Sequence, residues 1–207
     1  MEVQKLYKMA LNIAIFVMVY NILESILAVH FGYEEESLTL FGFGFDSAVE
    51  VASNLGVIYM IKRIQQNPKS NRTQYEKTAL KITGYGFYIL SVILFIGVII
   101  SLMENRLPMN TLFGVIISII SIVIMLFVVT KQMQIGNKLN SKPIIADAKC
   151  TLVCVYMSVV LLISSALYYF FGFQYADVLG ALGLVYFSIK EGRECFENVK
   201  NNSHCSC

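Results

Sequence analysis

Six apolar segments, separated by short polar stretches, constrain the fold of this chain more than any other feature. A helix that crosses a bilayer needs about 20 mostly apolar residues, and segments near this length recur along the whole sequence. We therefore predict six transmembrane helices, with ends defined only to within a few residues, at residues 8–31, 38–62, 79–102, 110–132, 146–170 and 175–190.

The composition excludes an ordinary soluble protein. Of the 207 residues, 57% are hydrophobic and 14% are charged, against roughly 25% charged residues in soluble domains. The predicted fold is an all-α integral membrane protein, a six-transmembrane-helix bundle, with the six-helix membrane domain at residues 1–195 and a short tail that contains Cys and His at 196–207. The first apolar segment is too long for a signal-peptide core, so we expect it to be retained.

The basic residues fall almost entirely on one side of the predicted bundle. Arg106 alone lies on the side opposite the termini, and the other fifteen lie on the side of the termini. The positive-inside rule then predicts that both termini are cytoplasmic, with the bacterial cytoplasmic membrane as the expected location. Topology accounts for these charges, so we expect no nucleic-acid partner. We also expect no organic cofactor and no enzymatic activity.

The second apolar segment contains two acidic residues, Asp46 and Glu50, four positions apart. This spacing puts both carboxylates on one face of a helix, deep in the hydrocarbon layer. Each charge costs about 2.5 to 3.5 kcal/mol there on insertion scales, and no Lys or Arg lies centrally in another segment. A bound cation would satisfy both groups. The alternative is that both acids are protonated and hydrogen-bonded for packing.

The fifth segment contains a second pair at the same spacing, Cys150 and Cys154. Two thiols facing two carboxylates would make a four-ligand metal site. Zinc accepts both sulfur and oxygen ligands in tetrahedral geometry, and sulfur favours zinc and cadmium over magnesium or calcium. Cysteine is also a frequent apolar core residue. The cysteine pair therefore predicts a metal site only in combination with the two acids of the second segment.

Further polar groups lie within or near the predicted helices. Asn21 and Glu24 are one turn apart in the first segment, and Asp147 begins the fifth. We predict a proton-relay or accessory role for these three residues. For Glu24 a structural hydrogen bond, to Asn21 or to a neighbouring helix, is an equally open alternative. Asp147 lies near the cytoplasmic end, where a simple interfacial position is the alternative.

The tail brings three potential soft ligands, His204, Cys205 and Cys207, into four residues on the predicted cytoplasmic side. They are candidates for collecting metal. Short polar tails without a scaffold commonly bind nothing, and this alternative stays open.

With these residues in place, the chain resembles the transmembrane domain of the cation diffusion facilitator family of metal transporters. In that family the second helix carries two acids, or a histidine and an acid, separated by three residues, as Asp46 and Glu50 are here. The fifth helix carries two ligands at the same spacing after an Ala-Asp pair, as in Ala146-Asp147 before Cys150 and Cys154. The resemblance covers most of residues 8–195.

The resemblance implies export of divalent metal from the cytoplasm in exchange for protons. Two departures are visible: cysteines stand where the family usually has histidine or aspartate, and the soluble C-terminal domain of many members is expected to be missing. A homodimer would then be held by the membrane helices. Our hypothesis is a Zn²⁺ or Cd²⁺ exporter that works by proton antiport. A membrane-embedded metal sensor or accessory protein and a cation channel are the alternatives.

Overall fold

A computed structural model describes residues 2–67, 74–104, 108 and 111–201 of the chain. Within these ranges the protein is helical throughout, with six helices and no strand. The helices are α1 (Glu2–Glu34), α2 (Leu38–Gln66), α3 (Gln74–Glu104), α4 (Leu112–Lys138), α5 (Lys142–Phe171) and α6 (Ala176–Asn201). The predicted all-helical membrane fold is confirmed.

Successive helices run in opposite directions, so the start of α1 and the end of α6 lie at the same end of the bundle. A side chain at Gly56, late in α2, would meet Ala79, early in α3, and one at Gly97, late in α3, would meet Leu38, at the start of α2. An apolar cluster likewise joins Tyr7 of α1 to the last turns of α2 and α4. We call the end with the termini the inner end and the opposite end the outer end.

The bundle places apolar groups outside and polar groups inside. Phe16 and Leu23 of α1, Ile89 of α3 and Val123 and Phe127 of α4 are all exposed. Serines, acids and amides on the opposite faces of the helices are buried. This arrangement suits a lipid surround, since polar groups in membrane helices face the bundle interior.

Four helices in the described part of the chain are long and apolar enough to cross a membrane: α1, residues 77–104 of α3, α4, and residues 147–171 of α5. Helices α2 and α6 are less apolar. Helix α2 packs against α1, α3, α5 and α6, so its polar residues are shielded by other helices. Helix α2, one of the two less apolar helices, is therefore surrounded by other helices on several sides.

Helix α6 continues well past residue 190, where the last apolar segment was expected to end, and past residue 195, where the tail was expected to begin. It ends at Asn201. The extension is polar, and pairs at a spacing of four support it: Lys190 lies 3.8 Å from Glu194, and Arg193 lies 2.8 Å from Glu197. Pairs at this spacing stabilise helices modestly. Hydropathy does not register such pairs, so the polar end of α6 was not predicted.

Helices α1 and α2 approach closely at glycine. A Cβ atom on Gly44 would lie 2.6 Å from the backbone nitrogen of Val29, and one on Gly32 would collide with the backbone of Phe41. Small residues allow such contact between membrane helices. The close approach fixes the polar residues of α1 beside those of α2.

Asp177, in the first turn of α6, caps the start of α2. Its carboxylate accepts hydrogen bonds from the Ser37 hydroxyl at 2.7 Å, from the Leu38 amide at 2.7 Å and from the Thr39 amide at 3.2 Å. The first amides of a helix have no partner within the helix, and here they are buried. Asp177 therefore ties the outer ends of α2 and α6 together.

We expect Asp177→Ala to destabilise the protein by about 1–3 kcal/mol, because it leaves buried donors of α2 without an acceptor. Thermal unfolding in detergent micelles measures the effect. Asp177→Asn is the matched control, since its amide oxygen still accepts one of these bonds, and it should lose less. Equal unfolding temperatures for Asp177→Ala and the unmodified protein would contradict the capping role.

The turn between α1 and α2 contains a buried acid. Glu35 is 7% exposed, and its Oε2 atom has no hydrogen-bond partner among the described residues. Burial, and to a lesser extent the charge of Glu34, raises the pKa of the Glu35 carboxyl from 4.5 to about 7. The folded state therefore holds a proton that the unfolded state releases between these two pH values.

Folding stability should consequently fall as the pH rises from about 4.5 to about 7, because the folded state binds the additional proton in that range. Glu35→Gln removes this loss, so the variant should unfold at a higher temperature than the unmodified protein at pH 8 and at the same temperature near pH 4. Glu36→Gln, at an exposed position of the same turn, is the control and should show no such pH-dependent difference. A constant offset for Glu35→Gln at every pH would refute the titration.

Candidate metal site

The two acids of α2 lie where the helix is surrounded by other helices. Asp46 is 2% exposed, and its Oδ1 atom has no hydrogen-bond partner in the described part of the chain. Glu50, one turn closer to the inner end, is partly buried and lines a cavity. The two carboxylates interact electrostatically. The sequence spacing thus produces one acidic face, with one acid enclosed and one accessible.

Glu50 joins three helices. The Asn21 side-chain amide of α1 donates to Glu50 Oε2 at 2.9 Å, and the Cys154 thiol of α5 donates to Glu50 Oε1. A carboxylate and a thiolate would repel each other at this separation, so the contact requires a shared proton. This is the point at which the acidic pair of α2 meets the cysteine pair of α5.

Cys150 lies one turn from Cys154 and lines the same cavity as Glu50. The four predicted ligands are thus located on facing parts of α2 and α5. Among the residues that the structure describes, however, no group of three or more His, Cys, Asp or Glu side chains is gathered closely enough to hold a metal ion. In this arrangement Glu50 is engaged by Asn21 and Cys154, and a closed four-ligand site would require these contacts to rearrange.

Glu24 does not pair with Asn21. It accepts hydrogen bonds from the Tyr20 hydroxyl at 2.7 Å and from the Ser47 hydroxyl of α2 at 2.9 Å. Asn21 instead donates to Glu50. The two structural partners considered for Glu24 were Asn21 and a neighbouring helix. The neighbouring helix α2 provides a partner, Ser47, and Asn21 does not. Both residues line up beside the acidic face of α2.

Asp147 lines the inner part of the same cavity. It accepts a hydrogen bond at 2.9 Å from the side-chain amide of Gln132 on α4. Gln132 was not predicted as a partner, because a single amide in an apolar segment gives no indication of what it contacts. The predicted tail ligands His204, Cys205 and Cys207 lie outside the described residues.

The cavity has a volume of about 110 Å³. It extends from Glu50 and Cys154 toward the inner end of the bundle, between α2, α3, α5 and α6. Its walls carry three carboxylates and three thiols: Glu50, Asp147, Glu191, Cys150, Cys154 and Cys195. These three cysteines are thiols rather than disulfides.

Toward the outer end an apolar cluster replaces the cavity. It includes Leu40, Phe43, Leu94, Leu161 and Leu184, all at most 2% exposed. Water and ions need polar surfaces to pass, and this cluster provides none. In this structure Glu50 is therefore accessible from the inner end, and the apolar cluster separates both central acids from the outer end.

Glu191 also lines the cavity, although it was not among the residues predicted from the sequence. The sixth segment was predicted to end at residue 190, which left Glu191 outside the helix and near basic residues. In the structure it is 8% exposed, lines the cavity and interacts electrostatically with Asp46, Glu50 and Cys154. One sequence signal was present: Glu191 and Cys195 have the same spacing of four as the two recognised pairs.

A helical bundle with an apolar surface, acids and thiols at its centre and a cavity leading to one end has the architecture of a membrane transporter. The family model described as the cation efflux transmembrane domain matches residues 11–200. The chain therefore belongs to the cation efflux family, and the resemblance drawn from the sequence is confirmed. A comparison with curated proteins finds no match.

Membership of this family establishes the broad function. The protein is an integral, multi-pass membrane protein and a cation efflux transporter, and its substrate is a metal cation. Members of the family are transporters, not enzymes.

Proposed function

We propose that the protein exports a soft divalent cation, Zn²⁺ foremost, from the bacterial cytoplasm in exchange for protons. Asp46, Glu50, Cys150 and Cys154 are the proposed ligands. The observation that carries this proposal is the hydrogen bond between Cys154 and Glu50, because it brings a sulfur donor and an oxygen donor from the two predicted pairs into direct contact.

The donor set supports a soft ion. Thiolate sulfur with carboxylate oxygen suits Zn²⁺ and Cd²⁺, whereas Mg²⁺ and Ca²⁺ prefer oxygen ligands alone. Asp46 adds a buried carboxylate oxygen that lacks a hydrogen-bond partner among the described residues. Such an oxygen is available to a cation without breaking an existing contact.

Proton exchange follows from the same contact. The Cys154–Glu50 pair holds a proton when no metal is bound, whereas metal ligands must be deprotonated. A metal ion that binds to Glu50 and Cys154 therefore releases protons, and protons that return displace the metal. Metal and protons compete for one set of atoms, which is the requirement for antiport.

The cavity supports alternating access. It leads from Glu50 to the inner end, which the positive-inside rule assigns to the cytoplasm, while the apolar cluster closes the outer side. This is the state in which cytoplasmic metal would load. Release on the other side requires the cluster between α2, α3, α5 and α6 to open.

Asn21, Glu24 and Asp147 are proposed accessory groups. Asn21 donates a hydrogen bond to Glu50, while Glu24, which is buried, and Asp147, which is half-buried, accept hydrogen bonds from hydroxyl or amide groups. We assign Glu24 and Asp147 a proton-relay role. The proposal also includes a homodimer formed through the membrane helices. The exposed apolar residues of α3 and α4 would face either lipid or the second copy.

Transport in proteoliposomes tests the site. We expect metal uptake to be saturable and driven by a pH gradient, and Asp46→Asn and Glu50→Gln to lower its rate by roughly tenfold or more, since even weaker perturbations of metal sites have effects of this size. Glu197→Gln, an exposed acid of α6 outside the cavity, is the control and should transport normally. Unchanged flux in both site variants would reject the assignment. Unsaturable flux without proton movement would favour a channel, and binding without flux a sensor.

A panel of metals tests the role of sulfur. In Cys150→Asp/Cys154→Asp we expect the preference to shift away from Cd²⁺ and toward harder ions such as Mn²⁺, because oxygen ligands replace sulfur. Cys205→Ser/Cys207→Ser is the matched control, which removes two thiols from the tail and should leave the ranking unchanged. If the tail variant shifts the ranking and the α5 variant does not, selectivity is set in the tail.

A further inference from the structure

Helix α6 carries a carboxylate and a thiol that the proposed transport site does not use. Glu191 and Cys195 are four residues apart, so both lie on one face of α6. Each is 8% exposed, and both line the cavity that leads to Glu50. They lie on its inner side, between the central acids and the end of the bundle with the termini.

The Glu191 carboxylate is buried, and one of its two oxygens lacks a hydrogen-bond partner among the described residues. That oxygen is Oε1. The neighbouring cation on its own helix, Lys190, interacts electrostatically with Glu191, but its ion pair, at 3.8 Å, is with Glu194. A buried carboxylate oxygen without a partner is costly, and a cation in the cavity would remove that cost.

The donor types match those at the centre of the bundle. Glu50 and Cys154 supply one carboxylate and one thiol, and Glu191 and Cys195 supply the same pair closer to the inner end. Every cysteine in the described ranges lines this one cavity. A path that offers sulfur and oxygen together at successive positions suits one kind of cargo, a soft divalent cation.

We propose that Glu191 and Cys195 form a second cation-binding position, at which a soft divalent ion such as Cd²⁺ or Zn²⁺ docks before it reaches Asp46 and Glu50. The ion binds Glu191 Oε1 and Cys195 Sγ and keeps water on its other positions. The Cys195 thiol releases its proton to cavity water as the metal–sulfur bond forms. The physiological meaning of this position rests on the proposed export function, but the binding itself does not.

Two protein donors make this position weaker than a closed four-ligand site. Weak binding is what transit requires, because an ion must be held long enough to enter and released easily enough to move on. It is also consistent with the absence, among the described residues, of any group of three or more ligands able to hold a metal ion.

The test uses the full chain with Cys195 as the sole cysteine, in the variant Cys150→Ser/Cys154→Ser/Cys205→Ser/Cys207→Ser. The rate at which N-ethylmaleimide alkylates Cys195 is measured in detergent with and without Cd²⁺. We expect Cd²⁺ to slow alkylation roughly tenfold, because a metal-bound thiolate is a poor nucleophile, and Mg²⁺ to have no effect. Adding Glu191→Gln should abolish the protection. Glu197→Gln, the same change at an exposed position of α6 outside the cavity, should preserve it.

Equal protection with and without Glu191, or no protection at all, would overturn the proposal. If the cavity excludes the maleimide, the ultraviolet thiolate-to-cadmium charge-transfer band decides the same comparison: it should appear with Glu191 and Cys195 present and disappear in Glu191→Gln.

Adding Glu50→Gln to the sole-cysteine variant separates this position from the transport site. Protection of Cys195 should persist, because its ligands do not include Glu50. Loss of protection would mean that Cys195 only reports on metal at the centre, and the second position would be rejected. If the Glu50 variant fails to transport metal but Cd²⁺ still protects Cys195, the result supports both the transport site at Glu50 and the second position at Glu191 and Cys195.

Discussion

The structure depends on how a carboxylate is accommodated in the middle of a membrane bundle. Glu50 cannot be solvated there as it would be in water, so its two oxygens take donors from α1 and α5, namely Asn21 and Cys154. This interaction requires α2 to lie between these helices, and the glycine contacts of α1 and α2 allow the approach. One acidic side chain therefore links α2 to both α1 and α5.

The outer end of α2 and its centre are attached to the other helices by different kinds of contact. At the outer end the Asp177 carboxylate binds the Ser37 hydroxyl and two backbone amides, contacts that no metal ion would displace. At the centre the Glu50 contacts involve the same oxygens that a cation would bind. At the proposed site, cargo that binds Glu50 would therefore change the attachment of α2 to α1 and α5, while the Asp177 contacts with α6 would remain. A rearrangement driven by cargo should begin at the level of Glu50.

The helices and the two spaced pairs could be predicted from the sequence, whereas the contacts between helices could not. The apolar segments and the spacings of Asp46 with Glu50 and Cys150 with Cys154 depend only on helix geometry and hydropathy, which are local properties. The pairing of Asn21 with Glu50 rather than Glu24 depends on which helices pack together. Glu191 was missed because hydropathy ended the sixth segment at residue 190, whereas the helix, with ion pairs at a spacing of four, continues to Asn201.

Thiols in place of carboxylates reduce the buried charge of the metal-free site. Four carboxylates at the centre of a bundle would each need a proton or a counter-charge whenever the site is empty. A thiol is neutral when it holds its proton, so Cys150 and Cys154 lower the number of buried charges in the empty transporter. Cys154 also donates to Glu50, which stabilises that carboxyl group without a cation. The same sulfur atoms that favour soft ions thus make the metal-free state of a buried site less costly, and a transporter must pass through that state in every cycle.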